Sequence, residues 1–292
     1  MGIWSKIKKR FTIQNYNIGL VGGEAVERGI AAGDIRWLRH RYRDRFFADP
    51  FLWYRDEVHY YILAEELCFF EQNGRIVLLT VDKADFSLKK REVVLEEPWH
   101  LSFPYCEENG EEMMPEAVRS GQCVRYRLSK ETHQVEERSV IAQCGIIDPI
   151  ELKQGEETIL LGSDSEDPNG SLYTYRKNGE GLYEKEKLLC RDKGCARNAG
   201  RLFWHKGSLM RPAQVCINRY GEATVVLRTE PDTLEQTQVL RMDGMENPPY
   251  GETLHTFNYY GDLALVDGSR DIFALRNIRY RARKYWKRRY GT

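Results

Sequence analysis

Residues 47–53 read FADPFLW, and about a hundred residues later residues 146–152 read IIDPIEL. Each stretch places an Asp-Pro pair directly before a run of aromatic or β-branched residues, which is typical of a strand. One such pair indicates a turn, whereas a pair that recurs at long spacing indicates an internal repeat. The two stretches therefore predict a chain built from repeated units.

Five units with the same order of elements can be aligned on these two stretches. Each begins with a polar residue, continues with a hydrophobic strand and a polar or glycine-containing turn, and returns in a second strand. The first four hairpins are followed by further strand-like runs, such as RIVLLTVD at residues 75–82. Four short strands in a unit of roughly fifty residues are typical of a β-propeller blade. The units begin at Asp49, His100, Asp148, Asn198 and His255.

The fifth unit contains only one hairpin before the chain becomes strongly basic. The stretches YNIGLV (16–21) and DIRWLRHRYR (34–43) can supply its missing outer strands. The sequence therefore predicts one all-β domain over residues 1–275, a five-bladed β-propeller closed by N-terminal strands. Residues 276–292 are predicted to form a basic amphipathic tail with a short helix. A β-sandwich of unrelated hairpins is the alternative fold.

The net charge of zero hides a marked asymmetry. Residues 276–292 carry eight basic and no acidic residues, and residues 1–10 carry four more basic residues, which leaves −12 on the rest of the chain. Basic amphipathic segments bind anionic membranes or nucleic acid, or pack their apolar stripe on the protein itself. Because an acidic body repels nucleic acid, the sequence favours peripheral contact with an anionic membrane and no nucleic-acid partner.

Segments that would place the protein outside the cytoplasm or across a membrane are not evident in the sequence. No apolar run approaches 18 residues, and the N-terminus lacks the apolar stretch of a secretory signal. The seven cysteines include no C-x-x-C pair, which indicates reduced thiols. We therefore expect a cytoplasmic protein, peripheral to the inner face of the membrane, with no cofactor and no metal site.

Polar residues recur at two positions of each unit. A hairpin brings its ends together, so a residue about 16 positions after a unit start should lie beside that start. The unit starts should thus converge on the axis, with a second ring of polar side chains just outside them. The alternative is that these residues only cap turns. The second ring comprises Glu65, Glu116, Asp164, Gln214 and, in the shorter fifth hairpin, Asp267.

The stretches ADPFLW, NGEEMMPEA, IIDPIEL, GRLFWHKGSLMRPAQ and LHTFNYYGDLALVDG resemble a known family. They are similar to the propeller at the N-terminus of plant glucosamine inositolphosphorylceramide transferases and its stand-alone bacterial relatives. That group is itself similar to the five-bladed propellers of family-43 arabinanases and xylosidases. The resemblance covers residues of about 45–270.

The resemblance to the family-43 hydrolases implies roles for individual residues. Asp49 matches their base, and Asp148 matches the aspartate that tunes the acid and orients the substrate. Their general acid is a glutamate of the fourth blade, where this chain reads CARNAGRLF without a carboxylate. Glycoside hydrolysis needs a general acid next to the oxygen of the leaving sugar. The missing glutamate therefore counts against simple hydrolysis, unless Glu116 replaces it.

The fourth blade is instead rich in arginine, and guanidinium groups bind phosphate. We expect Arg197, Arg201 and Arg211 to hold the phosphate of a sugar donor, with Asp49 and Asp148 on the sugar and with His100 and His255 as polar or acid–base groups. The leading expectation is a glycosyltransferase-like enzyme of surface-polysaccharide or glycolipid synthesis, with a sugar or sugar-phosphate ligand. A hydrolase that uses Asp49 and Glu116, and a non-catalytic sugar-binding propeller, are the alternatives.

Overall fold

The computed structural model describes residues 11–31, 33–244 and 249–274, together with residues 277, 279, 280, 282 and 286. In this part of the chain, twenty strands form five four-stranded sheets, and each strand pairs antiparallel with its neighbours. The predicted five-bladed β-propeller is confirmed. None of the helices among these residues is long and apolar enough to span a lipid bilayer.

The first blade consists of β3 (Arg45–Arg55), β4 (His59–Cys68), β5 (Gly74–Asp82) and β6 (Leu88–Leu95). The second consists of β7 (Ser102–Cys106), β8 (Glu112–Glu116), β9 (Cys123–Leu128) and β10 (Val135–Ala142). The third consists of β11 (Ile147–Gln154), β12 (Glu157–Ser163), β13 (Ser171–Lys177) and β14 (Tyr183–Arg191). The fourth consists of β15 (Phe203–His205), β16 (Ser208–Val215), β17 (Ala223–Thr229) and β18 (Gln236–Asp243). A 3₁₀ turn covers Val118–Ser120.

The fifth blade combines the two ends of the chain, as predicted. Its inner strands are β19 (Thr253–Tyr259) and β20 (Leu263–Phe273), and its outer strands are β1 (Thr12–Gly22) and β2 (Arg36–Trp37), with helix α1 (Ala25–Arg28) between them. The ladder between β1 and β20 is unbroken from the pair Thr12–Phe273 to the pair Gly22–Leu263. Hydrogen bonds along this ladder close the ring, because they join the first strand to the last.

The Asp-Pro pairs at residues 49–50 and 148–149 mark bulges in the inner strands. Asp49 and Asp148 have left-handed backbones with φ of 50° and 45°, and the ladder shifts register at each of them. Phe103, which also precedes a proline, has φ of 43° and lies at the corresponding shift in the second blade. A bulge re-aims a side chain and bends its strand. Left-handed residues of this kind cost about 1–3 kcal/mol each, so the fold retains strain where these side chains turn inward.

Apolar side chains between neighbouring blades hold the ring together. Phe51 of the first blade contacts Phe103 and Tyr105 of the second edge to face, with ring centroids 5.0 and 6.0 Å apart. Trp53 is fully buried and donates its Nε1–H to the Gly110 carbonyl in the second blade. Truncation of such a ring to alanine costs about 3–5 kcal/mol, so these contacts fix the angle between blades and with it the geometry at the axis.

Most of the predicted tail helix over residues 276–292 lies outside the described residues. The five described residues of this segment are helical. Two of them touch the propeller. Asn277 donates its Nδ2–H to the Phe11 and Ile272 carbonyls, and the buried ring of Tyr280 packs on Phe70 at a centroid distance of 4.5 Å. The start of the tail is therefore attached to the body of the protein.

Candidate active site

Polar side chains from all five blades converge at one end of the propeller axis. The bulges in the inner strands aim the side chains of Asp49 and Asp148 inward. Glu65, Glu116 and Gln214 project from the neighbouring strands beside them. Each of these side chains is buried by the blades around it. The group comprises Asp49, Glu65, Glu116, Asp148, Asn198, Gln214, His255 and Asp267, each with at most 9% of its surface exposed.

His255 joins the first and fifth blades through two carboxylates. Its Nδ1 lies 2.6 Å from Asp267 Oδ1, and its Nε2 lies 3.3 Å from Asp49 Oδ1. Burial opposes a charge on the imidazole, but the two carboxylates outweigh it and hold the pKa of His255 well above its usual range. Asp267 also accepts the backbone N–H of Asp49 at 2.8 Å. A protonated His255 thus locks the Asp49 bulge in place.

The same three residues are the candidates for a metal site. Asp49, His255 and Asp267 each offer a ligand atom, and these atoms lie within 4.8 Å of one another. A metal ion needs a neutral imidazole, because only an unprotonated nitrogen donates electrons to it. The raised pKa of His255 means that a proton already neutralises part of the carboxylate charge. The two carboxylates that raise this pKa would equally attract a divalent cation, which would have to displace the His255 proton.

Asp148 and Glu116 form a second cluster around Arg197. The Arg197 Nε donates to Asp148 Oδ2 at 2.6 Å, and its Nη2 donates to Glu116 Oε2 at 3.3 Å. Gln214 donates a further hydrogen bond to Asp148 Oδ2 at 3.0 Å. Burial, and then the charge of Asp148, raise the pKa of Glu116 well above its usual range. Burial and the neighbouring Asp148 therefore favour the protonated form of Glu116.

Glu65 and His100 form a third contact at the same end. The His100 Nδ1 accepts the backbone N–H of Gly74 at 2.8 Å, which leaves Nε2 facing Glu65 Oε1 at 3.4 Å. Burial lowers the pKa of His100 to about 4, so its ring is neutral. Burial and the charge of Asp49 raise the pKa of Glu65. His100 lies just before β7, the inner strand of the second blade. In that strand the residue equivalent to Asp49 is Phe103. His100 contacts the site through Glu65.

Three residues expected at the site lie elsewhere. Arg211 is fully buried and donates to the Ala196 and Cys195 carbonyls and to the side chains of Asn198 and Gln236, so its side chain does not reach the opening. Arg201 pairs with Glu107 and lies over the ring of Tyr260 at 5.3 Å. Glu107 and Tyr260 follow the last residues of inner strands, which places Arg201 at the opposite end of the axis.

The third displaced residue is Asp164, which follows the last residue of β12. Its Oδ1 accepts the backbone N–H groups of Glu166 and Asp167 at 3.0 and 3.1 Å, and its Oδ2 pairs with Lys185 at 3.0 Å. These contacts are those of a turn cap. For Asp164 the structure thus corresponds to the alternative interpretation of the polar ring.

Two aromatic residues and Arg119 were not identified from the sequence, whereas Arg219 belongs to the arginine-rich fourth blade noted there. Tyr16 and Tyr220 lie against His255, with ring centroids 4.8 and 5.5 Å from the imidazole. The Tyr16 hydroxyl is buried and has no hydrogen-bond partner among the described residues. The charges of Arg119 and Arg219 act on His100 and Tyr16 respectively, and Arg219 also pairs with Glu252 at 3.8 Å. With seventeen tyrosines in the chain, no sequence signal distinguishes these two.

Residues 38–243 match the family model described as glucosamine inositolphosphorylceramide transferase 1, N-terminal. The transferase of this name from Oryza sativa subsp. indica is 26% identical over 259 residues, which cover 78% of this chain and 34% of that protein. Its namesake from Arabidopsis thaliana is 30% identical over 209 residues, covering 63% of this chain and 26% of that protein. The chain spans about a third or less of the length of these relatives.

A solved structure supports the same architecture. A family 117 glycoside hydrolase from the marine bacterium Zobellia galactanivorans superimposes with a TM-score of 0.50 at 11% sequence identity, covering 91% of this chain and 92% of that chain. At this level of identity the likeness concerns the fold alone.

Proposed function

The chain belongs to the glucosamine inositolphosphorylceramide transferase 1 N-terminal family, as the resemblance predicted, and from this we propose that its polar end acts on the glycosidic bond of a bound sugar. At the coarser level the protein is a carbohydrate-related propeller, related to that family and to glycoside hydrolase folds. The observation that carries the finer proposal is that Glu116, whose pKa is raised by burial and Asp148, shares a buried polar cluster with the Asp49 carboxylate.

The chemistry divides between these two carboxyl groups. Cleavage of a glycosidic bond needs one group that donates a proton to the leaving oxygen and one that accepts a proton from the attacking hydroxyl. In this proposal Glu116 is the donor, because burial and Asp148 raise its pKa and favour the form that carries a proton. Asp49 is the acceptor, held by His255 and by the backbone N–H of Phe103 at 3.1 Å. Glu116 thereby replaces the general acid that is missing from the fourth blade.

The remaining residues of the cluster position these two. Arg197 and Gln214 hold the Asp148 carboxylate beside Glu116, so we assign Asp148 and Arg197 to orientation rather than to phosphate binding. Tyr16 and Tyr220 flank His255 and offer rings of the kind on which sugar faces pack. The Tyr16 hydroxyl would then find in a sugar hydroxyl the partner that the described residues do not supply.

Transfer from a phosphate-linked sugar donor is the second candidate. The family and the relatives are named for a transferase, and the charges of Arg119 and Arg219 act on His100 and Tyr16. A phosphate leaving group needs positive charge and no general acid. In that case Glu116 would be dispensable, whereas Arg119 and Arg219 would not.

A panel of aryl glycosides and nucleotide-sugars separates these candidates. We expect aryl alcohol release by the wild type, with losses of about 10²–10⁴-fold in kcat in Glu116→Gln and in Asp49→Asn. Glu156→Gln, in an exposed turn between β11 and β12, is the matched control and should retain full activity. Consumption of a nucleotide-sugar that survives Glu116→Gln would favour the transferase. Sugar binding without turnover of any substrate would indicate a non-catalytic sugar-binding propeller.

A further inference from the structure

A groove of 640 Å³ lies beside the fifth blade and is lined by side chains of unusual charge. Arg41 and Arg43 come from the segment that leads from β2 to β3, and Arg270 comes from β20. All three arginines are exposed. Tyr42, Tyr250 and Phe273 line the same groove, and Asp271 contributes one carboxylate. We call this set of residues the basic groove.

The arginines of the basic groove differ from their neighbours in their pairing. Among the described residues, no ion pair joins a carboxylate to Arg41, Arg43 or Arg270, whereas nearby Arg45 pairs with both Asp44 and Glu66. Arg270 lies over the ring of Tyr250 at 4.5 Å, which fixes its guanidinium without neutralising it. Three guanidinium groups facing one carboxylate leave a positive surface that can accept an external anion.

Strand register places the basic groove at the same end of the propeller as the candidate active site. Along the ladder of β1 and β20, Ile18 pairs with Asp267, and Asn15 pairs with Arg270 three residues further toward the strand ends. Asn15 lines the groove, and the next residue, Tyr16, packs on His255. One tyrosine therefore separates the groove from the polar cluster.

The two basic segments of the chain start from this corner. Residues 1–10, with four basic residues, precede Thr12, and residues 276–292, with eight, follow Phe273. Thr12 and Phe273 pair with each other at the end of the ladder, next to the basic groove. Residues 11–275 carry a net charge of −12, so the exposed arginines of the basic groove are a positive patch on an acidic body.

We propose that this corner docks on an anionic lipid bilayer, with Arg41, Arg43 and Arg270 on lipid phosphates. A flat bilayer touches only the basic corner, whereas a nucleic acid strand would also meet the acidic body, which repels it. Phe273 is 53% exposed and supplies an aromatic ring for the interfacial region. The inference is independent of the proposed function, because it uses none of the residues of the polar cluster.

The test is co-sedimentation of the full chain with vesicles of phosphatidylcholine alone and of phosphatidylcholine mixed with phosphatidylglycerol. We expect binding only to the mixed vesicles, weakening as salt rises. The triple variant Arg41→Gln/Arg43→Gln/Arg270→Gln should bind about a hundred-fold more weakly, since each basic side chain near the surface contributes about five-fold. The matched control is Arg127→Gln/Arg176→Gln/Arg241→Gln, which removes three ion-paired arginines from the outer strands of other blades and should bind normally.

Several outcomes would overturn the proposal. Equal vesicle binding by the triple variant and the wild type would show that the groove takes no part. Binding to an RNA oligonucleotide but not to vesicles would show that the ligand of this corner is a nucleic acid and not a bilayer. Displacement from vesicles by millimolar glycerol phosphate would indicate a site for a free phosphate ligand. Circular dichroism checks folding, and if the triple variant is unfolded the single variant Arg41→Gln, at an exposed position, should still weaken vesicle binding several-fold.

Discussion

Asp49 and His255 belong to the first and the last blade, yet Asp49 Oδ1 lies 3.3 Å from His255 Nε2. The imidazolium is held from its other side by Asp267, whose second oxygen accepts the Asp49 backbone N–H. The seam where the ring closes is thus fixed by a charged, buried cluster as well as by the strand ladder. The geometry of the candidate active site and the closure of the propeller therefore depend on the same residues.

Asp267→Asn should destabilise the protein by about 3–5 kcal/mol, because it leaves the buried His255 imidazolium with one carboxylate instead of two. Asp262→Asn serves as the control. Asp262 pairs with Arg55 at 2.7 Å, but its side chain is 64% exposed, so the expected loss is below about 1 kcal/mol. Urea denaturation of both variants measures the difference. Similar losses in the two would contradict a charged His255.

Glu116→Gln should leave the free energy of unfolding within about 1 kcal/mol of the wild type, because an amide replaces a carboxyl group that is already neutral. Asp148→Asn should cost several kcal/mol, since it removes the ion pair of the buried Arg197. Both variants should lose activity on a glycoside. Chemical denaturation alongside kinetics separates the two effects, and a Glu116→Gln variant as unstable as Asp148→Asn would mean that Glu116 is ionised.

The raised pKa values of Glu65 and Glu116 predict a pH dependence of stability. From about pH 4.5 upward the unfolded chain releases protons that the folded protein keeps. The stabilisation is complete below that pH and is lost as the pH rises through the folded pKa values. Relative to Glu65→Gln/Glu116→Gln, the wild type should lose up to about 1.4 kcal/mol per pH unit for each group.

Urea titrations of both proteins between pH 4 and 9 test this dependence. His255 changes the slope in the same direction above its unfolded pKa of about 6.5, but equally in the wild type and in the double variant. The difference between the two curves therefore isolates the carboxyl groups. A difference that does not change with pH would rule out raised pKa values for both.

Tyr16→Phe should weaken sugar binding by up to about ten-fold without loss of stability, because the hydroxyl it removes has no partner in the described part of the chain. Tyr260→Phe is the reciprocal control, since the Tyr260 hydroxyl accepts the Leu52 N–H at 2.8 Å at the far end of the axis. That variant should lose about 1 kcal/mol of stability and keep its KM. Melting curves and the KM for an active aryl glycoside provide the two readouts. An unchanged KM in Tyr16→Phe would remove this residue from the site.

The fold could be predicted because each blade repeats its order of strands and turns, and Asp-Pro reveals two of the bulges directly. In the second blade the sequence analysis aligned the polar residue His100, whereas the structural equivalent is Phe103. The shared signal is a left-handed residue before proline, whatever its side chain. The repeat is defined by backbone conformation, and it was partly hidden because the second blade has phenylalanine where the first and third have aspartate.

The error at Arg211 has a simple geometric cause. Arg211 and Gln214 lie three residues apart on β16, and side chains alternate between the two faces of a strand. An odd separation places them on opposite faces, so the position of Gln214 at the axis excludes Arg211 from it. Tyr16 and Tyr220 could not be found in this way, because their approach to His255 depends on ring closure and on a loop.

Pairing of β1 with β20 also sets the order in which the molecule can be completed during synthesis. β1 precedes the other four blades in the chain and its partner β20 follows them, so during synthesis β1 waits with an open edge while those blades form. Contacts of such high sequence separation form late and slowly. The Asp49–His255–Asp267 cluster then assembles in the final folding step. We expect nascent chains arrested before β20 to hold four ordered blades, to remain catalytically inert and to be clients of chaperones that shield unpaired strands.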